Sequence, residues 1–348
     1  MNNEAAEDDA AIARAIQGDE AAFGAAVAPH ERPLFRHCYR MLGAGPDAED
    51  ALQETLIRSW LRLEAYDATG AFGGWLYRIA TNVCLDVLRS RQGRVDPLTL
   101  GPPSDSDKMP GAPDTGVEWV EPITSASTSA DPQDQIVGRE DITLAFVTAL
   151  QRLAPRQRAC LLLHDVVGFT QAEVAEALEM TPSSVNSLLF RARESTRLGR
   201  GGSLVEISDP RMQELLDRYV RAWQLADIDA FVEVVSDDVR LSMPPLREWY
   251  EGLIAVAAFT ENVIFAAHRP SGITFRPGWC NSQPAFASYL PDAAGTLVVN
   301  GLQILEVRDR GGQVLVTDIV SYLNPGLAIR CGFPGEITSA HGRVGRAE

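Results

Sequence analysis

Cysteine is scarce and unpaired in this sequence, cations are outnumbered, and no long apolar run occurs; each shortage removes a class of protein. The five cysteines, Cys38, Cys84, Cys160, Cys280 and Cys331, stand far apart among apolar neighbours, which argues for reduced thiols and against a disulfide scaffold or a zinc site. The histidines show no H-x-x-x-H or comparable spacing, so no metal site and no cofactor is expected. No stretch reaches the roughly 18 consecutive apolar residues of a membrane span. The acidic opening MNNEAAEDDAAIARAIQGDEAAF lacks the basic start and apolar centre of a signal peptide, so the expectation is a cytoplasmic protein without a membrane segment.

The shortage of positive charge is uneven. The net charge is −16, with Lys and Arg against Asp and Glu standing at 10 against 15 in residues 1–100 and 1 against 7 in 101–136. The counts are 8 against 7 in 137–200 and 12 against 18 in 201–348, so only 137–200 is not acidic. A protein that grips DNA unaided shows a basic footprint, because neutralising phosphates supplies most non-specific affinity. If this chain touches DNA, another subunit supplies much of the hold.

What is present is length and apolar pattern. At 348 residues and 45% hydrophobic content, several separate cores are expected. Residues 11–95 read as three or four packed helices, punctuated by Gly43, Pro46, Gly70, Gly73 and Gly74, with Asp47 as an N-cap. Residues 96–137 are rich in Pro, Gly, Ser and Asp and form an acidic linker with no core of its own, apart from the island VEWVEP around Trp119. Residues 138–200 form a second helical block. There Thr170 with Glu173 makes a capping box, Thr181 precedes Pro182, and two short helices meet at a tight turn in a helix-turn-helix layout. Val174, Leu178, Val185 and Leu189 are its internal packing, and Arg152, Arg156 and Arg158 raise the local positive potential. Residues 206–335 read as helices at 209–235 and 251–265 with alternating strands at 239–243, 284–290, 296–309 and 313–323. The fold class is therefore multidomain: two all-α helical domains, the second a helix-turn-helix, followed by an α+β, cone-like domain whose helices close one side of a curved antiparallel sheet.

The stretch FGGWLYRIATNVCLDVLR, residues 72–89, sets an apolar stripe of Phe72, Leu76, Ile79, Val83 and Val87 beside Trp75, Tyr77, Arg78, Asn82 and Arg89. One reading is an amphipathic helix whose rings close a core. The other is a helix whose exposed face handles bases and phosphates.

The same segments carry a resemblance. LFRHCYRMLG, DAEDALQETLIRSW and FGGWLYRIATNVCLDVLR resemble the second conserved region of extracytoplasmic-function bacterial RNA polymerase sigma factors. LAPRQRACLLLHDVVGFTQAEVAEALEMTPSSVNSLLFRARE resembles the fourth region, and RLSMPPLREWYEG, NSQPAFASY and NPGLAIRCGFP resemble the SnoaL-like (NTF2-like) extension of one subgroup. The EWVEP island is similar to the linker motif of extension-bearing members. The resemblance implies that Asp50, Gln53, Glu54 and Arg58 dock on the β′ subunit of the polymerase core. It implies that Trp75, Tyr77, Arg78, Asn82 and Arg89 open the −10 promoter element and hold a flipped base. By the same resemblance Ser183, Ser184, Ser187, Arg191 and Arg193 read the −35 element of promoter DNA. By the same resemblance the core polymerase is expected to supply the missing positive charge, and the acidic linker to mimic nucleic-acid charge along its path. The C-terminal domain becomes a built-in regulator, with Trp119 as its docking anchor and a small-molecule ligand in its cone.

A second class stays open. SnoaL-like folds include enzymes that use a carboxylate or histidine in an apolar cone, and Asp318, Tyr250, Tyr289, His268, Asn281 and Trp279 are the candidates for such a catalytic or ligand pocket. The large side chains Trp223, Met243, Trp249, Phe259, Phe286 and Tyr322 either line the cone or simply fill it.

Overall fold

The computed structural model describes residues 10–66, 71–91, 93–106, 108–124, 143–196, 202–269 and 271–338. They form two compact units, one from the chain up to Arg94 together with Phe146–Arg197, the other from Val95–Ala145 together with Leu198–Glu348. The expected boundaries at 137/138 and 200, and linker residues 125–137, lie outside the described residues.

In the first unit a helical stretch over residues 10–16 precedes helix α1 (Glu20–Leu42), which is started by the Asp19 carboxylate, accepting the Ala22 N–H at 2.9 Å, and ended by Gly43 at φ 83°. Helices α2 (Gly45–Leu61) and α3 (Phe72–Ser90) pack on α1 through a core of Leu34, Cys38, Met41, Ala51, Leu76 and Val83. Asp47 is not the N-cap of α2. Pro46 enters the first turn, where its missing N–H costs nothing, so the helix already opens at Gly45. The Asp47 carboxylate instead accepts from Arg94 at 2.7 Å and Arg91 at 3.0 Å.

From Phe146 the same unit continues through α4 (Leu144–Gln151) and α5 (Pro155–Leu161), which runs into a wider π turn at Leu162–Val166. Next come α6 (Gln171–Ala177) and α7 (Pro182–Thr196), with Val174, Leu178, Val185 and Leu189 buried between them as the sequence pattern requires. The expected capping box is formed: Thr170 N–H donates to Glu173 Oε2 at 2.7 Å and Glu173 N–H to Thr170 Oγ1 at 3.2 Å. Arg158 does not contribute to a positive surface. It is buried, and its guanidinium donates to Met41 O, to Gln151 Oε1 at 2.5 Å and to Leu153 O at 3.2 Å, tying α5 to the end of α1.

The second unit is an α+β domain. Short strand β1 (Ser203–Leu204) leads to α8 (Pro210–Leu225) and α9 (Ile228–Val232), then β2 (Val235–Ser242), β3 (Trp249–Glu251) and α10 (Leu253–Phe259). A π turn at Thr260–Phe265 carries α10 into α11 (Ala266–His268). There follow β4 (Thr274–Cys280), β5 (Gln283–Pro291), β6 (Leu297–Arg310), β7 (Gln313–Tyr322), α12 (Pro325–Arg330) and β8 (Glu336–Ile337). The sheet order is β3-β2-β7-β6-β5-β4. All of these neighbours are antiparallel except β2 and β7, which run parallel because the meander from β4 ends beside β2 without a hairpin to reverse it. Tyr219 and Trp223 of α8 pack into the face of the sheet, with Trp223 edge-on to Phe265 at 5.5 Å and to Phe275 at 5.6 Å.

The described part of the linker lies on this second unit. Val120 and Ile123 are buried, Ile123 N–H donates to Asn281 Oδ1 at 2.9 Å, and Asn281 N–H returns a bond to Ile123 O at 3.0 Å. Tyr322 donates its hydroxyl to Val120 O at 2.9 Å, and Trp249 donates Nε1–H to Gly101 O at 3.0 Å. The linker has no core of its own but borrows one.

Candidate functional site

Helix α3 presents its mixed face to a cleft of about 380 Å³ in the first unit. Trp75, Arg78 and Asn82 line it, one helical turn apart, joined by Arg58 and Arg62 from α2 and its end and by Tyr66. Ring packing holds Trp75 in place: Phe72 stacks on it at 5.6 Å and Tyr66 leans on it at 5.3 Å. The Arg58 guanidinium donates to Glu54 at 2.6 Å and Asp86 at 2.9 Å, and these bonds raise its pKa further. Arg78 reaches Glu176 of α6 at 2.8 Å, which sets an acid at the rim of an otherwise cationic cleft.

Two of the α3 candidates stand apart from this cleft. Tyr77 turns inward, its ring edge-on to His37 at 5.2 Å and to Phe169 at 6.4 Å, and burial raises its pKa. Arg89 pairs with Asp86 at 2.8 Å, one turn back on the same helix.

Helix α2 is inverted relative to an ordinary amphipathic helix. It buries the small residues Ala48, Ala51, Thr55 and Ser59 and turns large apolar groups outward, with Ile57 54% and Leu61 75% exposed. Leu56, Ile57, Trp60 and Leu61 join Phe23 of α1 in an apolar surface hollow, with Asp50 and Gln53 exposed on the same helix. Sequence reasoning named Asp50, Gln53, Glu54 and Arg58 but missed Ile57 and Leu61. The signal was there: they fall between the small residues that the helical period sends inward.

On α7 the serines are engaged locally. Ser183 and Ser184 hydroxyls sit 3.1 and 2.9 Å from Thr181 Oγ1, and Ser187 donates to Ser183 O at 3.0 Å. Arg193 is held by Asp165 at 2.5 and 2.9 Å, while Arg191 is exposed. Phe190, which the sequence reading passed over, is 70% exposed beside it.

Residues 26–94 match the Sigma-70 region 2 family, and residues 143–195 match Sigma-70, region 4. Over 320 residues, 90% of this chain and 85% of the relative, the sequence is 37% identical to the ECF RNA polymerase sigma factor SigG of Mycobacterium tuberculosis. Over 207 residues, 59% of this chain and 60% of the relative, it is 30% identical to SigJ of the same organism. The crystal structure of the Mycobacterium tuberculosis extracytoplasmic function sigma factor SigJ shares the fold at a TM-score of 0.56, with 22% identity, covering 87% of this chain and 96% of that one. This chain belongs to the extracytoplasmic-function sigma factors. It is a promoter-recognition subunit of RNA polymerase. Among the described residues of this sigma factor, no helix is long and apolar enough to cross a membrane.

The residues named for a catalytic pocket in the sigma factor's C-terminal domain are scattered. A cavity of about 320 Å³ opens between the sheet and α10–α11, and of the six candidates only His268 lines it. Asp318 sits on the opposite face of β7 from the core residue Ile319 and pairs with Arg240 at 2.6 Å. Tyr250 stacks on Phe259 at 4.0 Å, with its hydroxyl buried and pKa pushed up to about 12 by burial. Tyr289 donates to Pro334 O at 2.8 Å, and Asn281 holds the linker. Trp279 is half-buried on β4, paired across from Pro284. Trp119, the expected docking anchor, is half-buried and donates to Asp114 O at 3.3 Å. Its neighbours Val120 and Ile123 are the residues that the domain buries.

Proposed function

We propose that the sigma factor captures an unstacked base of the −10 element in the α3 cleft, docks on the β′ subunit through the outward face of α2, and reads the −35 element with α7. The C-terminal domain controls this activity through the linker it holds. The observation that carries the reading is the cleft itself. A ring (Trp75), an amide (Asn82) and three guanidinium groups (Arg58, Arg62, Arg78) converge there, the chemistry that stacks a base and holds its phosphates. Support for the docking face comes from Ile57 and Leu61, whose exposure on a helix that buries only small residues marks a surface made for a partner. Asp50 and Gln53 then form its polar border.

The test is transcription of genomic DNA by purified core polymerase and the full chain, read as promoter-directed start sites. Trp75→Ala is expected to cut initiation about ten-fold or more, in line with roughly 1–3 kcal/mol for one stacked base, while leaving association with the core intact. Paired Ile57→Asp and Leu61→Asp are expected to abolish association with the core. Wild-type initiation by the first variant, or wild-type association by the second, would refute the assignment.

A further inference from the structure

The cavity of the C-terminal domain has a composition that restricts what it holds. One wall is apolar: Trp223 of α8, Phe259 of α10, and Val263 and Ile264 of the π turn. The facing wall is the sheet, where β5, β6 and β7 contribute Ser288, Asn300, Gln303 and Ser321. These lie close together, since Gln303 pairs with Ser321 in the ladder and Ser288 with Gly301. A strip of hydroxyls and amides therefore runs across a floor whose roof is hydrocarbon and rings.

Among the described residues no carboxylate, lysine or arginine lines the cavity, and His268 is the one titratable group there. Burial lowers the His268 pKa below its ordinary value, which favours the neutral ring at neutral pH. A charged ligand would shed its hydration without gaining a counter-charge. The polar strip also carries more than packing requires. Tyr219 donates to Gln303 Oε1 at 3.0 Å, which orients that amide with its nitrogen as the remaining end. Trp223 is almost fully buried, and its indole Nε1–H faces the Tyr219 hydroxyl, so the ring and the Gln303 amide are held by the same tyrosine. At about 320 Å³ the space is at the small end of ligand pockets. Met109 and Pro110 of the linker complete its rim.

We propose that this cavity is a binding site for a compact, uncharged, largely apolar molecule carrying hydroxyl or carbonyl oxygens along one edge, seated with that edge on the Ser288–Gln303–Ser321 strip. The apolar body fills the space against Trp223 and Phe259. The site stands on the geometry of the C-terminal unit and not on the promoter roles given to α3 and α7, so its test needs neither polymerase nor DNA.

The experiment titrates the full chain with prodan, a neutral naphthalene ketone whose emission shifts to the blue on leaving water. Anilinonaphthalene sulfonate serves as an anion of similar ring area. Saturable binding of one prodan per chain is expected, with the sulfonate competing at least about ten-fold more weakly. Two variants block the space from opposite walls, Ala267→Trp at the exposed end of the helix and Asn300→Trp on the sheet, so that the loss of one fold does not end the test. Each is expected to weaken prodan at least about ten-fold with unchanged thermal unfolding. No saturable binding, undiminished binding in both folded variants, or a sulfonate that competes as well as the ketone would each overturn the proposal.

Discussion

His37 and Arg158 show how the first unit buries bases in two different ways. The His37 ring is buried and its Nε2 lies 2.9 Å from Thr81 Oγ1, which spends its own proton on Tyr77 O at 2.7 Å. The ring therefore donates from Nε2. Burial first, and the nearby Arg40 charge second, push its pKa down to about 3. Arg158 stays charged although burial lowers its pKa to about 10, because carbonyl oxygens surround its guanidinium. The histidine has a measurable consequence. Its folded pKa lies below the ordinary value of 6.5, so between pH 6.5 and about 3 the unfolded chain binds a proton that the native state refuses. Stability from this group is complete above pH 6.5 and falls as the medium acidifies, by roughly 2 kcal/mol at pH 5. Denaturant titrations at pH 7 and pH 5 on the wild type and His37→Gln check this, since glutamine keeps a donor for Thr81 but does not titrate. The wild type is expected to lose about 2 kcal/mol more than the variant between the two pH values; equal losses would contradict the burial argument.

At the scale of elements, the α3 cleft and helix α6 meet through one ion pair, Arg78 with Glu176 at 2.8 Å. Both side chains are largely exposed, so the pair is worth no more than about 1 kcal/mol. That is enough to matter if Arg78 must be released to hold a phosphate. Glu176→Gln is expected to lower the concentration of sigma factor giving half-maximal promoter-directed transcription by up to about five-fold. A rise in that concentration would mean the acid assists DNA binding. The residues of this cleft were legible in the sequence because Trp75, Arg78 and Asn82 recur on one face of a strongly periodic helix. Tyr77 was not separable from them by pattern, since what turns it inward is His37 and Phe169, remote in sequence. The helix-turn-helix was legible down to its capping box, because that motif is local. The parallel pairing of β2 with β7 and the strand β4 were not, as Pro277 and Gly278 break the alternation that marks a strand. The cysteines show the same limit: separated by 45 residues or more in sequence, Cys38 meets Cys84 and Cys280 meets Cys331, all as free buried thiols.

Over the whole molecule, the acidic linker is where charge and architecture meet. Its composition pointed to a segment with no core of its own that docks through Trp119, but two of its eight acids are also engaged with arginines of the C-terminal domain, Asp114 with Arg247 at 2.5 Å and Glu121 with Arg330 at 3.1 Å. Asp107, Asp131 and Asp134 lie outside the described residues. If the linker is to follow the polymerase's nucleic-acid path it has to leave these partners, and the strength of its attachment would then set a threshold for activity. Two uncharged side-chain contacts contribute to that attachment, Asn281 to Ile123 and Tyr322 to Val120. Removing both with Asn281→Ala and Tyr322→Phe loses roughly 0.5–1.5 kcal/mol for each hydrogen bond. Lys108 is the single tryptic position between residues 95 and 124, which makes cleavage after it a direct reporter of linker release. Because proteolysis follows the population of the open form when opening is fast, the double variant is expected to be cut there about ten-fold faster than wild type, with thermal unfolding of the domain little changed. Transcription with core polymerase should rise in the same variant if the attached linker holds the factor back. An unchanged cleavage rate would show that other contacts retain the linker, and faster cleavage without a change in transcription would separate the attachment from control.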